Sequence, residues 1–321
     1  MEPSIPLSLG FKPARPLRGV PSVAALGILL LVGGCHSTVP PRAAPTAPVS
    51  PLAAAPASPT AAPVPAKPRP PKPKPVVKQA PLSDFCPSDN TLLAWNFQRN
   101  KKHAVPSIPT KARKLAKQYG ALYVGPNSKL VYLTFDEGYE NGNTPAILDT
   151  LKKNGVKATF FVTRAYIKEA PKLVRRMVAE GHVVGNHSAT HPSMPKLAFD
   201  RAAFDSQLKR TADAYEQVTG ERIATLFRPP MGEYSARTLC MTKDLGYTTV
   251  FWGFAHGDYD EKNQPPVATT LTRILDGSHP GAIYLLHGMS SSDTQALGAS
   301  IDALGKQGYG FGVLAAGGAA P

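Results

Sequence analysis

Acidic residues are almost missing from the front of this 321-residue chain. Between residues 1 and 82 there is one, Glu2, against nine lysines and arginines. The same stretch holds 15 of the 34 prolines between Pro40 and Pro81, which excludes helix and central strand there and leaves nothing that could pack a core. Cysteine is scarce, three residues in all, so no disulfide framework can hold a fold of this size together. Long apolar runs are missing too. The longest, VPSVAALGILLLVGG at residues 20–34, is shorter than the roughly 20 residues a bilayer span requires. Finally, much of the net charge of +14 sits in the front end. Residues 83–321 carry only about +6, which removes most of the support for a nucleic-acid partner.

What is present at the front reads as an address. Lys12, Arg15 and Arg18 precede the apolar run, which ends in small residues as a secretory signal does. LVGGC resembles the bacterial lipobox, with Cys35 as the residue that would carry lipid. The expectation is an exported lipoprotein anchored in the membrane of a bacterial cell envelope, on the periplasmic side and at the outer membrane if one is present. Residues 1–34 are then the signal peptide. Residues 35–82 form a disordered Pro/Ala-rich tether, extended at about 3.1 Å per residue. Residues 83–129 form an extension packing on the folded domain at 130–315. Cys86 and Cys240 remain; in an oxidising compartment they could pair, and the sequence leaves that open.

From Leu130 onward short apolar runs alternate with helical patterns. KLVYLTF, ATFFV, HVVGNH, TLFRPP, YTTVFWGF, GAIYLLH and YGFGVL read as strands. TPAILDTLKKNG reads as a helix, with Thr144 as N-cap, Pro145 at the first position and Gly155 at the end. APKLVRRMVAEG, residues 199–219, SARTLCMTKDLG, PPVATTLTRILDG and SDTQALGASIDALGKQG read as further helices. Strand and helix in alternation imply parallel strands with helical crossovers. About seven units point to an α/β barrel, whose chemistry gathers at the C-terminal ends of the strands. At those ends stand Asp136 and Glu137, His187 and His191, Arg228, His256 and Asp258, and His287.

His187 and His191 can reach one ion if a helical turn joins them, because positions four apart share a face. Alone, such a spacing reads as an ordinary pair. After one strand, and alongside carboxylates after another, it reads as a catalytic metal site of two neutral imidazoles, a carboxylate and open positions.

In these residues the sequence resembles the polysaccharide deacetylases of the NodB-homology family. LTFDEG, HSATH, RPP, FWGFAHGDY and IYLLH look like the family's five motifs in order, from about Tyr132 to Leu314. GYENGNTP, AIYLLH and YGALYVG are closer to the delta-lactam-biosynthetic de-N-acetylases, which act on muramic acid residues of peptidoglycan. The resemblance implies a distorted (β/α) barrel and hydrolysis of the acetamide of an N-acetylated amino sugar. It also implies a divalent metal, zinc by preference and cobalt or manganese otherwise. It assigns Asp136 as general base and Arg228 as its holder, with His287 as general acid and Asp258 as its orienting partner. The backbone N–H of Met231 would receive the oxyanion, and Trp252 and Leu285 would line an acetyl pocket.

Two departures stand out. Glu137 occupies the place of a ligating aspartate, one methylene longer, and is expected with His187 and His191 on the metal. Tyr259 replaces a tryptophan, with His256 as an extra titratable group nearby. The expected partners are an N-acetylated glycan, peptidoglycan above all, and a membrane reached through the anchor. Alternatives are a deacetylase of chitin or another exported glucosamine polymer, and a glycan-binding lipoprotein that has lost activity, for which Glu137 is the best argument. A two-metal phosphodiesterase would need a denser ligand cluster than the sequence offers.

Overall fold

The computed structural model describes residues 85–315. The expected signal segment, Cys35 and the tether lie outside the described residues. The chain runs β1 (Leu93–Ala94), α1 (Thr110–Tyr119), β2 (Leu130–Glu137), α2 (Thr144–Lys153), β3 (Thr159–Val162), α3 (Arg164–Glu169), α4 (Pro171–Ala179), β4 (Val183–Asn186) and α5 (Met194–Leu197). It continues α6 (Arg201–Thr219), β5 (Leu226–Phe227), β6 (Glu233–Tyr234), α7 (Ala236–Asp244), β7 (Thr248–Thr249), α8 (Val267–Asp276), β8 (Ile283–His287), α9 (Ser291–Lys306) and β9 (Gly310–Phe311).

The parallel sheet has the order β7-β5-β4-β3-β2-β8, with β9 also beside β2. It curls into the expected distorted (β/α) barrel. On the closing side the expected strand YTTVFWGF contributes only Thr248 and Thr249 to the sheet. Beyond them the backbone changes partners residue by residue. Val250 N–H donates to Phe227, Phe251 N–H to Leu122 and Gly253 N–H to Ile283, while Leu285 N–H returns to Phe254 O at 2.8 Å. The seam is therefore made of single bridges, Leu122 to Val250 and Phe254 to Tyr284.

Strand parity decides what each side chain meets, since successive residues face opposite sides of a sheet. Val131, Leu133 and Phe135 of β2 pack outward, in one cluster with Ile147, Leu148 and Leu151 of α2 and Leu297, Ile301 and Leu304 of α9. Tyr132 faces inward with Phe161, Leu226, Phe251, Trp252 and Leu285. Each such buried side chain contributes about 1.5–3 kcal/mol relative to exposure.

α3, α6, α7 and α9 start where an N-cap side chain accepts from a first-turn N–H group. Asp200 Oδ1 accepts from Ala203 N at 2.9 Å to open α6, and Ser235 and Thr238 form a capping box for α7. α2 opens at Thr144 with Asn143, not Thr144, at its N-cap position. Ahead of the barrel, β1 pairs antiparallel with β6. Trp95 stacks on Phe251 at 4.2 Å and donates to Trp252 O at 2.9 Å. A disulfide joins Cys86 to Cys240, Cα to Cα 5.6 Å, which resolves the pairing left open above. Among the described residues no helix is long and apolar enough to cross a membrane.

Candidate active site

Register lines up the strand ends. Asp136 of β2 stands opposite His287 of β8 and Phe161 of β3, and Phe161 stands opposite Gly185 of β4. Gly185 is needed there. A Cβ would lie 2.8 Å from the Phe161 ring, and that ring supports the Arg228 guanidinium at 4.2 Å.

Arg228 is fully buried, and its Nη1 donates to Asp136 Oδ1 at 2.7 Å. Its Nε donates to Val250 O at 3.3 Å, and Trp252 lies 5.7 Å away on another side. Burial pushes the Asp136 carboxyl up, but Arg228 and the neighbouring His187 and His287 hold it below the usual carboxylate value. Asp136 is therefore an ionised base at neutral pH.

His287 is held from the opposite side. Its Nδ1 lies 2.9 Å from Asp258 Oδ1, and its backbone N–H donates to Asp258 Oδ2 at 2.9 Å. Burial would lower the imidazole pKa, but Asp258, helped by Asp136, raises it to about 9. The ring is thus an acid at neutral pH, facing a base across one strand pair, and opposed titrations of this kind mark acid–base machinery.

His187 and His191 come together with ring centroids 4.9 Å apart and ring planes at 72°. The helical turn expected between them is not what joins them. Residues 187–193 are irregular, and positive φ at Ser188 (69°) and His191 (55°) curls the segment back. Such backbone strain persists only where surroundings fix it. Asn186 Oδ1 accepts from Ser188 N, Ser188 Oγ from His191 N, and Gln207 Oε1 from both Ala189 N and Thr190 N. Gln207, on α6, is a functional support that the motifs do not reveal, because it lies a helix away in sequence.

His187 Nδ1 lies 2.8 Å from Arg228 O, so it carries the proton and leaves Nε2 as the free lone pair, 3.5 Å from Asp136 Oδ2. Burial lowers the His187 pKa to about 4 and lowers that of His191 too. The contact with Asp136 is therefore between a carboxylate and a neutral ring, not an ion pair.

Glu137 is not brought to this pair. Parity sends it outward with Val131, Leu133 and Phe135, and it is 1% exposed. Its Oε2 is 3.5 Å from Thr144 Oγ1 of α2, and among the described residues its Oε1 has no hydrogen-bond partner. A Cβ on Gly288 would fall 2.0 Å from the carboxylate. Among the described residues the three potential ligands with donor atoms within 4.8 Å of one another are His256, Asp258 and Asp293, not His187, His191 and Glu137. Burial, then Glu140 and Asp136, push the Glu137 carboxyl well above its ordinary value.

Met231 adopts the left-handed region (φ 59°, ψ 6°) in the Pro230–Gly232 turn, with its side chain half exposed. Trp252 and Leu285 are buried in the inner apolar cluster, and Tyr259 lies 6.3 Å from the His287 ring at the surface. A cavity of about 330 Å³ between the N-terminal extension and α8 includes none of these groups.

Comparison with known proteins bears on this arrangement. Residues 123–250 match the polysaccharide deacetylase family. The chain is 41% identical over 223 residues to the peptidoglycan-N-acetylmuramic acid deacetylase PdaA of Bacillus subtilis, covering 69% of this chain and 84% of that protein. It belongs to the polysaccharide deacetylases. The solved structure of Bacillus subtilis PdaA, a family 4 carbohydrate esterase, superposes with a TM-score of 0.67 at 40% identity, over 70% of this chain and 95% of that one. A Bacillus anthracis pseudoenzyme of family 4 is also similar, with a TM-score of 0.53 at 34% identity, over 60% and 67% of the two chains. The deacetylase is thus a hydrolase of carbon–nitrogen bonds other than peptide bonds, as the motifs led us to expect.

Proposed function

We propose that this deacetylase removes acetyl groups from the N-acetylated sugars of peptidoglycan, N-acetylmuramic acid or N-acetylglucosamine, releasing acetate and a free amine. The observation that carries the reading is the paired placement of an ionised Asp136 and a protonated His287 on adjacent strands, each held by its own buried counter-charge. Asp136 accepts the proton of the attacking water. The N–H of Met231 receives the oxyanion that forms on the acetyl carbonyl. His287, with Nδ1 engaged by Asp258, donates from Nε2 to the leaving nitrogen, which an amide needs because its anion is a very poor leaving group. Arg228 keeps Asp136 ionised and oriented, and Trp252 and Leu285 bound the acetyl methyl. The named substrate of the similar Bacillus protein supports peptidoglycan and, within it, muramic acid.

The donor chemistry near Asp136 fits a divalent cation, zinc first and cobalt or manganese next. His187 and His191 are neutral, and His187 presents a free Nε2. They are the residues that would hold the ion, and Glu137 is outside the set. When bound, the ion supplies a Lewis acid for water and carbonyl. We further propose that the protein is exported and lipid-anchored at Cys35, which agrees with a disulfide in the folded part, since such bonds persist in oxidising compartments.

Acetate release from defined muropeptides, with chelator, with metal restored and in Asp136→Asn, tests the reading. We expect chelator-sensitive release that zinc, cobalt or manganese restores and that the substitution lowers at least 100-fold, on the order of a lost general base. Product mass names the sugar. Release from chitin oligomers alone would move the substrate to an exported glucosamine polymer. No release from any of these by folded, metal-loaded protein would leave the inactive glycan-binding reading, which the outward-turned Glu137 favours.

A further inference from the structure

Behind the His287–Asp258 pair lies a second buried pair that the mechanism above does not use. His256 Nε2 is 2.8 Å from Asp293 Oδ1. Asp293 is 1% exposed, Asp258 is fully buried and His256 is 5% exposed. The nearest ligand-type atoms of the three all lie within 4.8 Å of one another. Asp293 sits in the first turn of α9, where its backbone N–H donates to Ser290 Oγ at 3.1 Å. Among the described residues its Oδ2 has no hydrogen-bond partner. Two carboxylates cannot both stay ionised in such a place, and a proton shared between them removes their repulsion.

We propose that Asp293 and His256 are positioning residues for the general acid, completing a buried chain His256–Asp293–Asp258–His287 in which one proton is shared between the two carboxylates.

The donors then run in a single direction. His256 Nε2–H donates to Asp293 Oδ1, protonated Asp293 Oδ2–H donates to Asp258, and Asp258 keeps the negative charge that His287 Nδ1–H and N–H meet. This assignment satisfies the orphaned Oδ2 and leaves no like-charged pair. Titration agrees with the geometry. Burial and then Asp258 push Asp293 well above its ordinary value, while Asp258, which burial would raise, is held down to about 2 by His287 and then Asp293. Burial lowers the His256 pKa; Asp258 opposes this, while Arg273 of α8, Arg99 of the N-terminal extension and His287 add to the lowering. The groups that face His287 are Asp258, Asp136 and, farther off, Asp293. The alternative for this cluster is a second metal site.

The inference rests on the deacetylase reading for its kinetic consequence but not for its structural one, so the test has two arms on the full chain. In the first, Asp293→Leu and Asp293→Asn are compared for acetate release. Asparagine can accept from His256 and donate to Asp258, as protonated aspartate does, whereas leucine can do neither. We expect Asp293→Leu to lower kcat about tenfold at unchanged KM and to move the alkaline limb of the rate profile upward, with Asp258 left to His287 alone. Asp293→Asn restores both to within about twofold. In the second arm the downfield proton of the His287 Nδ1–H···Asp258 hydrogen bond is followed by NMR without substrate, assigned with His287→Gln. It shifts in Asp293→Leu and stays in place in Asp293→Asn. Loss of activity and a displaced signal in Asp293→Asn would overturn the shared proton in favour of a required carboxylate, and metal that co-purifies at this cluster would do the same. Wild-type kcat, limb and signal in both variants would reduce the pair to scaffold. Should Asp293→Leu fail to fold, Asp293→Asn still decides. If no variant nor the parent releases acetate, the NMR arm decides and only the deacetylase reading fails.

Discussion

At the scale of single residues, Asp136 is paired with Arg228 and His287 with Asp258, and Glu137 has no such counter-charge. It is buried, has an oxygen without a partner among the described residues, and has its pKa pushed well above the ordinary value by burial, Glu140 and Asp136. A carboxyl whose folded pKa is raised binds its proton more tightly folded than unfolded. Its stabilising state is therefore fully present below the unfolded value of about 4.5 and is lost as pH rises toward the folded pKa. Glu137→Gln removes that loss. We expect a higher Tm at pH 7–8, by about 2–4 °C for each kcal/mol relieved, with metal content unchanged; a fall in bound metal would return Glu137 to the ligand set. His287 has a raised pKa as well, but against burial and by the Asp258 charge, so that its favoured protonated form is the charged one. It is an acid below about 9, so kcat/KM should fall as pH rises through that value. Asp258→Asn, which removes the charge that raises the imidazole pKa, should carry the alkaline limb down toward the ordinary histidine range near 6.5. An unmoved limb would assign the general acid elsewhere. Residue identity at strand ends made Asp136, Arg228, Asp258 and His287 legible in the sequence. The parity of LVYLTFDE already sends Asp136 inward and Glu137 outward, yet the motif's adjacent pair reads as one site. Asp293 and Gln207 were not legible, because each reaches the site from a helix whose pattern is explained by packing.

At the scale of elements, the helical crossovers and the inner strands were legible because their apolar periods are long or unbroken. The seam after β7 was not. Val250 to Phe254 is extended and apolar, so it reads as strand, but its N–H groups are distributed among Phe227, Leu122 and Ile283. The histidine pair shows the same limit. Its four-residue spacing predicts proximity correctly while giving the wrong cause, since two left-handed residues close the loop, not a helix. The N-terminal extension is fastened to α7 by Cys86–Cys240 across a separation of 154 residues. α7 is also where Arg237 reaches back, its Nη1 donating to Cys86 O and Pro87 O at 3.3 and 3.2 Å. Closing so long a loop stabilises by about 3–5 kcal/mol in the chain-entropy account. Cys240→Ser should therefore lower Tm markedly and open residues 85–92 to proteolysis, while acetate release at 25 °C changes little, because neither cysteine contacts the site. Unchanged proteolysis would mean that β1 and Trp95 hold the extension by themselves.

At the scale of the whole molecule, charge and composition divide the chain into parts with different duties. The front carries nine basic residues and one acidic residue and is spaced by proline, while the folded part is near +6. If Cys35 carries the proposed lipid, the roughly 50 residues between it and the folded part set how far from its membrane the barrel can reach. An immobile polymer cannot diffuse to its enzyme, so the reach matters for wall-bound glycan and is irrelevant to soluble fragments. Cys35→Ala separates the two cases. The barrel and its charges are untouched, so acetate release from soluble muropeptides should match the parent. The protein should leave the membrane fraction, and deacetylation of the wall in growing cells should fall. The two effects must come together, since both follow from one anchor. A Cys35→Ala protein that still sediments with membranes would place the attachment in the apolar run at residues 20–34, retained as an uncleaved segment. A protein that becomes soluble yet deacetylates the wall as before would show that the tether adds nothing to access.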